Sequence, residues 1–419
     1  MLIHGAVDND IYPPRSGGTQ RSFGIYRGLA RRHAVRVLCV VPNRTRAPRE
    51  EVAERVALVR RGAWYTSLAW RLEQAGLMPL FIAAHGHRAI AARLLAALPG
   101  APDVLAADLN LAGLLETGAA RLRVYTAHNV EYDHFRMVKS RVVAAGSWAR
   151  AIRRLEARAV EHADLTVACS DEDAQRMIEL YGARSEQLAV IPNGYDETRV
   201  RPPAGDERAR ARAALGIGER EYVGLFLGSD TLFNREGLAR LTDRVFPALA
   251  SAGFRLLVVG GITRGLGSRR EPWLIAHGET DRVAPFLHAA DAGLNPVTTG
   301  GGSNVKLPTY LGAGLATVTT PFGLRGYAAL RPWVIASEPE YLTEAVRERP
   351  AGWRARGLEC PPAIEDYAWG RLGERLGARF EAQLSGPRVA SEPGAHGAAG
   401  QVEAGPAAPR AREAGGVRS

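Results

Sequence analysis

Short apolar runs rich in β-branched residues alternate along this chain with longer segments of helical periodicity. Runs of this kind occupy 35–41, 103–108, 123–128, 165–170 and 188–193, and then 222–229, 254–261, 292–297 and 315–320. Strands that are apolar throughout and alternate with helices are typical of a mainly parallel sheet that helices cover on both faces. The two series therefore predict an α/β protein with two domains in tandem.

Turn-forming residues mark the boundaries of these domains. The segment IPNGYDETRVRPPAGD (191–206) carries Pro, Gly and Asp after the last strand of the first series and predicts the junction. We place the first domain at 1–198 and the second at 199–365. From residue 385 to residue 419 the chain loses periodicity and fills with Gly, Ala and Pro, which predicts a disordered tail.

Composition narrows the class of protein. The chain has 419 residues, a net charge of +10 and 54 basic residues, of which only Lys139 and Lys306 are lysines. The arginines are scattered over helical segments without an aromatic and basic platform, so nucleic-acid binding is not expected. No apolar run is long enough to span a membrane and the N-terminus lacks a secretory pattern, so we expect a cytoplasmic protein. Three widely spaced cysteines fit reduced thiols.

A glycine-rich stretch poses the sharpest functional question. The segment NPVTTGGGSNVKLPTYLGAG (295–314) contains three consecutive glycines, then a lysine and helix-forming residues. It is either a flexible turn before a packed helix or a cradle for phosphate. In the second case the amides of Ser303, Asn304 and Val305 face an anion at the start of the helix, and Lys306 adds a positive charge. The stretch alone leaves both alternatives open.

Three other places offer candidate ligand contacts. Gly17 and Gly18 lie between the first strand and a helix, where their amides either bind an anion or form a tight turn. His128 and Asn129 end a strand and so favour a polar contact in the cleft, although a buried histidine of the core is the alternative. Arg235 opens a helix after the run 222–229 and is a candidate anion ligand.

Two kinds of site are not expected. Glu131, Asp133 and His134 lie close in sequence, but no second cluster gives them the spacing of a metal site. The segment VVGGITRGLGSRR (258–270) does not have the G-x-G-x-x-G spacing of a nicotinamide site from Gly260 onward.

In their order along the chain, the motifs resemble those of the retaining glycosyltransferases of family 4. The motifs are SGGTQR (16–21), HNVE (128–131), ADLTVACS (163–170), VIPNGYD (190–196), FLGS (226–229), NREGL (234–238), VVGG (258–261), ADAGLNPV (290–297), GGGSNVKLPTYLGAGLATVTT (300–320) and GLRGY (323–327). The resemblance implies the GT-B fold, in which two Rossmann-like domains face each other across a cleft and the second domain holds the nucleotide sugar. It also implies a C-terminal helix, here 366–384, that crosses back to the first domain.

The resemblance assigns roles to individual residues. Gly17 and Gly18 would approach the diphosphate of the donor, and His128, with Asn129 beside it, would lie near the transferred sugar. The amides from Gly302 through Ser303 and Asn304 to Val305 would bind the diphosphate oxygens, which Lys306 and Arg235 would neutralise. With these roles the glycine run is a phosphate cradle and no metal cofactor is needed.

Two departures from the family pattern concern charge. The family usually carries a pair of acidic residues eight positions apart, of which the second binds the ribose, and this chain has Gly301 and Thr309 there. The basic residue expected directly after FLG is Ser229. Loss of a charge-assisted hydrogen bond weakens nucleotide binding by about 1 to 3 kcal/mol, so the preferred nucleotide is left open.

The sequence therefore predicts an enzyme that moves a sugar, with retention, from a nucleotide diphosphate sugar to an acceptor hydroxyl. The acceptor is a cell-surface glycan, a lipid-linked glycan or a secondary metabolite. A catalytically silent partner or scaffold protein is one alternative, because Thr309 and Ser229 depart from the family pattern. A sugar-nucleotide epimerase is another, because that chemistry also uses the GT-B fold. The segment around Trp64 and Trp70 mixes aromatic and basic residues, which suggests weak peripheral contact with a membrane, although packing in the core is the commoner role of such aromatics.

Overall fold

The first domain is built on one large sheet. The structure, a computed structural model, describes residues 1–41, 49–62, 64–79, 82, 88–96, 98–116, 120–138, 145–348 and 360–386. The strands of the first sheet are β1 (Leu2–Val7), β2 (Ala34–Val41), β3 (Arg49–Ala53), β4 (Val56–Gly62), β5 (Val104–Asp108), β6 (Leu122–Thr126), β7 (Leu165–Ala168) and β8 (Leu188–Val190). Their order across the sheet is β3-β4-β2-β1-β5-β6-β7-β8, and every pair is parallel except β3 with β4.

A second, fully parallel sheet forms the other domain. Its strands are β9 (Tyr222–Leu227), β10 (Phe254–Val259), β11 (Leu274–His277), β12 (Ala292–Asn295), β13 (Ala316–Thr319) and β14 (Val334–Ala336). They lie in the order β11-β10-β9-β12-β13-β14. All nine runs predicted as strands contain a strand, and the two-domain α/β fold of GT-B type is confirmed. The domain boundaries at residues 198 and 365 stay predictions.

Helices cover both sheets. Those of the first domain are α1 (Gly17–Ala30), α2 (Trp64–Gln74), α3 (Arg88–Ala96), α4 (Glu131–Val138), α5 (Ala145–His162) and α6 (Asp171–Tyr181). The later ones are α7 (Glu207–Ala214), α8 (Leu232–Arg240), α9 (Ala284–Ala289), α10 (Lys306–Gly312), α11 (Leu342–Arg347) and α12 (Trp369–Ser385). The ends of α6 follow from its sequence, because the Ser170 side chain accepts from the amide of Asp173 and Gly182 adopts the left-handed conformation that ends the helix.

The last helix returns to the first domain. Its buried face, which includes Trp369, Leu372 and Phe380, belongs to the same apolar core as β1, β2 and α1. The backbones of α1 and α12 touch, since a Cβ added at Gly28 would lie 2.3 Å from the Trp369 carbonyl oxygen. Only glycine allows this approach, so the contact holds α12 against helix α1 of the first domain.

Two further predictions concern surface and tail. Within the described ranges, no helix is long and apolar enough to cross a membrane. The predicted disordered tail lies, from residue 387 on, outside the described residues. On α2, Trp70 is 53% exposed, whereas the Trp64 side chain is also outside the description.

Candidate active site

The carboxyl ends of the two sheets face each other across a cavity of about 720 Å³. Both domains contribute to its walls. The structure brings almost all predicted site residues to this cavity: Gly17, Gly18, His128, Asn129, Gly302, Ser303, Asn304, Val305, Lys306 and Thr309. Arg235 is the exception, because it lines a separate surface pocket.

A carboxylate from the neighbouring strand holds His128. The Nε2 atom of His128 lies 3.1 Å from Asp108 Oδ2, and Asp108 also accepts hydrogen bonds from Ser22 and Thr126. Burial alone would raise the pKa of Asp108, but the hydrogen bonds from His128, Ser22 and Thr126 hold it below its ordinary value. Asp108 is therefore ionised, so His128 donates from Nε2 and Nδ1 is left to face a ligand.

Sequence reasoning missed Asp108, although a signal was present. Asp108 is the last residue of β5, and His128 follows β6, the next strand in the sheet. Polar residues at the carboxyl ends of neighbouring parallel strands meet at the same edge. Both residues could therefore have been placed together once the strand order was known.

The start of α1 reaches across the cavity. Ser16 caps the helix through the amide of Thr19, and Gly17 and Gly18 are its first residues. A Cβ added at Gly17 would be 3.6 Å from Val305 Cγ2 of the second domain, and one at Gly18 would be 3.4 Å from His128 Nδ1. The two glycines thus let the N-terminus of α1 lie close to His128 of the first domain and to Val305 of the second.

The glycine run packs against the first domain. A Cβ at Gly301 would lie 2.6 Å from Asn129 Oδ1, and one at Gly302 would lie 2.5 Å from the His128 carbonyl oxygen. Gly302 also has a φ of 65°, a conformation that other residues rarely adopt. These glycines are therefore required by close contact between the domains, which is a reason that the sequence did not reveal.

A buried asparagine ties the glycine run to the junction between the domains. The Asn193 amide donates to Ser303 Oγ at 2.9 Å, and Asn193 Nδ2 donates to the Ser303 carbonyl at 2.6 Å. The amide of Ser303 itself lies against the Cys169 sulfur. The structure thus turns Ser303 toward the protein interior, in contrast to the predicted contact between its amide and a phosphate.

Two amides at the start of α10 are left for a ligand. The Asn304 side chain accepts from the amide of Lys306 at 3.1 Å. By contrast, the amides of Asn304 and Val305 have no hydrogen-bond partner within the described part of the chain, and both residues line the cavity. Unsatisfied amides at the start of a helix favour an anion.

Lys306 is a partly buried cation in the same wall. Its Nζ donates to Asn234 Oδ1 at 2.7 Å and lies 5.4 Å from the centre of the Phe226 ring. Among the described residues it forms no ion pair, and burial lowers the pKa of its ammonium to about 7. An anionic ligand beside Nζ would therefore be bound more tightly when Lys306 is protonated.

The structure corrects the assignment of Arg235 to the anion site. Thr231 caps α8 through the amide of Asn234, which turns Asn234 inward to Lys306. Arg235, one residue and about 100° further round the helix, points outward and forms an ion pair with Asp230 at 2.5 Å. The side-chain amide of Asn234 thus lies beside Lys306, where the sequence predicted the guanidinium of Arg235.

Two buried carboxylates, those of Glu131 and Glu156, connect Asn129 to the interior of the first domain. Asn129 Nδ2 donates to Glu131 Oε1 at 3.2 Å. Glu156 is fully buried and accepts from the amides of Glu131 and Tyr132 and from the hydroxyls of Tyr125 and Tyr181. Burial raises the pKa of both carboxyls, and the charge of Glu156 raises that of Glu131 further.

Two family models match the chain. That of Glycosyltransferase Family 4 covers residues 16–199, and that of Glycosyl transferases group 1 covers residues 221–348. The chain belongs to glycosyltransferase family 4. As a family 4 glycosyltransferase, it departs from the predicted charge pattern at Thr309, whose hydroxyl donates to the Val305 carbonyl at 2.9 Å, and at Ser229, which also lines the cavity.

Curated relatives carry the name D-inositol 3-phosphate glycosyltransferase. The protein of Nocardia farcinica is 32% identical over 294 residues, which cover 67% of this family 4 chain and 60% of the relative. That of Salinispora arenicola is 31% identical over 272 residues, which cover 60% and 55%. The chain thus spans about 60% of the length of the first relative and somewhat less of the second.

Solved structures share the fold at low sequence identity. Sucrose-phosphate synthase from Thermosynechococcus elongatus has a TM-score of 0.63 and 16% identity, with 91% of this chain and 94% of that chain covered. WaaG, a glycosyltransferase involved in lipopolysaccharide biosynthesis, has a TM-score of 0.61 and 18% identity, with 90% and 99% covered. At these identities the likeness shows the fold alone.

In the described part of this family 4 chain, no group of three or more His, Cys, Asp or Glu could hold a metal ion.

Proposed function

We propose that this family 4 protein transfers a sugar, with retention of configuration, from a nucleoside diphosphate sugar to an acceptor hydroxyl. One observation carries the proposal. A single cavity has His128, held by Asp108, in one wall and Lys306 with two free amides in the other. A sugar joined to a diphosphate matches these walls, because it presents hydroxyls at one end and negative charge at the other.

The second domain would bind the diphosphate. Lys306 and the amides of Asn304 and Val305 lie in its wall of the cavity, and the start of α1 with Gly17 and Gly18 approaches from the opposite side. Helix starts and an ammonium stabilise the charge that accumulates on a departing phosphate. These groups carry out the charge stabilisation for which other enzymes use a metal, so we propose that no divalent cation is needed.

The first domain would orient the sugar. The ring of His128 is held through Nε2, and its Nδ1 lies beside Gly18 in the wall where we propose that the donor sugar binds. In the reaction, the bond from the anomeric carbon to the diphosphate oxygen breaks and a bond to the acceptor oxygen forms on the same face. The acceptor proton passes to the leaving diphosphate, so no side-chain base is required.

The acceptor belongs to one of a few chemical classes. A cell-surface glycan, a lipid-linked glycan and a secondary metabolite are the candidates, and the relatives named for inositol 3-phosphate add a phosphorylated polyol. We do not expect nucleic acid as a partner. Weak membrane contact is proposed at α2, where Leu68 and Trp70 are 45% and 53% exposed. Arg60, which precedes α2, does not contribute to a basic membrane-binding surface, because it is buried in ion pairs with Asp10 and Glu50.

A thermal-shift panel of nucleotides tests the proposal without the acceptor. UDP and UDP-glucose are the first probes, because a solved structure of this fold, described as trehalose-6-phosphate from E. coli, is bound with UDP-2-fluoro glucose. A ligand at a hundredfold excess over its Kd stabilises the folded state by about 2.7 kcal/mol, which gives a measurable shift. We expect a shift with at least one nucleoside diphosphate, unchanged by EDTA.

The alternatives give different results in the same experiment. If no nucleotide shifts the melting temperature of the folded protein, the scaffold protein becomes the better account. Slow release of the free donor sugar supports the transferase, whereas release of its C2 epimer supports the epimerase. For membrane contact, cosedimentation with vesicles that contain anionic lipid should fall when Trp70 is replaced by Ala.

A further inference from the structure

A buried arginine in the wall of the cavity forms no ion pair within the described part of the chain. Arg21 lies in α1, about one turn after Gly17 and Gly18, and is 1% exposed. Its Nη1 donates to the Ile191 carbonyl at 2.8 Å and to Asn193 Oδ1 at 3.3 Å. Its Nε and Nη2 have no hydrogen-bond partner, and no carboxylate among the described residues forms an ion pair with it. The carboxylate that interacts with its charge is that of Asp173, whose pKa is raised by burial and lowered by the charges of Arg325 and Arg21. Because Asp173 forms its ion pair with Arg325, these two arginines and one carboxylate keep one net positive charge.

Other buried arginines of this chain are neutralised. Arg60 forms ion pairs with Asp10 and Glu50, and Arg212 forms one with Asp291. A buried charge without a counter-ion costs several kcal/mol, and its removal is usually neutral or stabilising. The position of Arg21 is therefore best explained by an anion that is present only when a ligand is bound.

The position of Arg21 relates it to the diphosphate site. It lines the same cavity as Lys306, and its partner Asn193 donates two hydrogen bonds to Ser303 in the glycine run. The second domain is short of positive charge at this place, because Ser229 is neutral and Arg235 is paired with Asp230. Three other arginines line the cavity, Arg15, Arg27 and Arg199, but each is paired with a carboxylate, which leaves Lys306, among the described residues, as an unpaired cation for a donor diphosphate.

We propose that Arg21 supplies the second positive charge for the diphosphate of the donor, from the first domain and through space. This inference rests on the proposed function and extends it. Since Nε and Nη2 are sealed from solvent, Arg21 is a positioning and electrostatic residue that does not touch the ligand. Coulomb interactions over such a gap are stronger in the protein interior than in water.

The experiment compares ligands with and without phosphate. Binding of inorganic pyrophosphate, UDP and uridine to the full chain is measured by calorimetry for the wild type, Arg21→Gln and Arg21→Lys. We expect Arg21→Gln to weaken pyrophosphate and UDP binding about tenfold and to leave uridine unchanged. All measurements are made at pH 6, so that a buried ammonium stays protonated; under these conditions Arg21→Lys keeps the charge and should stay within about threefold of the wild type for all three ligands.

A second buried arginine serves as the control. Arg212 pairs with Asp291, which precedes β12 and so lies at the opposite end of the sheet from the cavity. In Arg212→Gln, Asp291 keeps Arg208 as a partner, so the variant should fold and bind pyrophosphate like the wild type. A purely structural role of Arg21 predicts that both Gln variants lower the melting temperature without a phosphate-specific loss.

Each outcome separates this inference from the proposed function. If the wild type binds neither UDP nor pyrophosphate, both fail. If it binds them and Arg21→Gln binds them equally well, the charge role of Arg21 alone is refuted. Should Arg21→Gln not fold, Arg21→Lys decides, since a tenfold loss of pyrophosphate affinity with the charge retained would overturn the inference.

Discussion

The imidazole of His128 and the carboxylate of Asp108 form a partly buried pair at the carboxyl edge of the first sheet, with 3.1 Å between Nε2 and Oδ2. Replacement of Asp108 by Asn puts an amide in place of the acceptor, so His128 can no longer be fixed as the Nε2–H tautomer. We expect the kcat of transfer to fall about 10- to 100-fold with nucleotide affinity retained. Thr126→Val, which removes a different hydrogen bond to Asp108, is the control and should leave His128 in place. Unchanged kcat in a folded Asp108→Asn protein would contradict the role.

Lys306 gives the protein a pH dependence of a definite sign. Its pKa is about 7 in the folded state and 10.5 in the reference state, so the unfolded chain binds more protons between these values and stability rises with pH there. Lys306→Met removes the desolvation cost, and we expect it to stabilise the protein by about 2 kcal/mol at pH 6 and by little at pH 10. Denaturant titrations at both pH values measure this.

The same lysine should control nucleotide binding. Because the ammonium is the form that attracts phosphate, UDP affinity of the wild type should fall as the pH rises above 7. In Lys306→Met the affinity should be lower and nearly independent of pH, and turnover should fall about 100-fold. A wild-type profile that is flat from pH 6 to pH 9 would exclude Lys306 as the titrating group.

The buried carboxylate pair predicts the opposite trend. The pKa of Glu131 is raised above its ordinary value of 4.5 by burial and by Glu156, so the folded state holds a proton that the unfolded state has lost. The contribution of Glu131 to the stability of the wild type should therefore decrease as the pH rises from 5 to 8. Glu131→Gln removes this loss and should be more stable than the wild type at pH 8. Glu156→Gln is the contrasting variant, because Glu156 accepts two backbone amides at the start of α4 and its loss should destabilise at every pH.

Gly302 tests the contact between the domains. It shares a left-handed φ with Gly205, at 65° and 54°, but only Gly302 has a backbone atom of the other domain within 3 Å of an added Cβ. Gly205→Ala should cost about 1 kcal/mol of stability with full activity. Gly302→Ala should cost more and lower activity at least about tenfold, because the glycine run is pushed from His128. Melting temperature and turnover of the two variants, measured together, separate backbone strain from domain contact.

The sequence predicted those parts of the fold that repeat a local pattern. The apolar central strands and the caps of α6 follow from residues within a few positions of each other. The short strands β3, β11 and β14 were missed, because an edge strand has few buried positions and a mixed composition. Strand β4 was missed as well, although it is internal and mostly buried, because Arg60 and Arg61 end its apolar run.

The sequence predicted the location and chemical type of the candidate site better than it predicted the individual residues. His128 and Lys306 reach the cavity because they follow strands whose carboxyl ends face it. Arg235 was misplaced by one residue, since a turn of about 100° on a helix decides which side chain faces inward. Asp108, Asn193 and Arg21 were overlooked, because their importance comes from partners between 18 and 172 positions away in the chain.

The packing of α12 against α1 has a consequence for synthesis of the chain. The ribosome makes the first domain from its N-terminus, but Trp369, Leu372 and Phe380 complete the core of that domain. Until these residues emerge, the side of α1 that carries Gly24 and Gly28 lacks its covering helix, and the second domain must be made in the meantime. The nascent first domain therefore exposes an apolar surface while the second domain is translated. Chaperones bind such exposed apolar surfaces, so we expect chaperone binding to this domain to be strongest in that period.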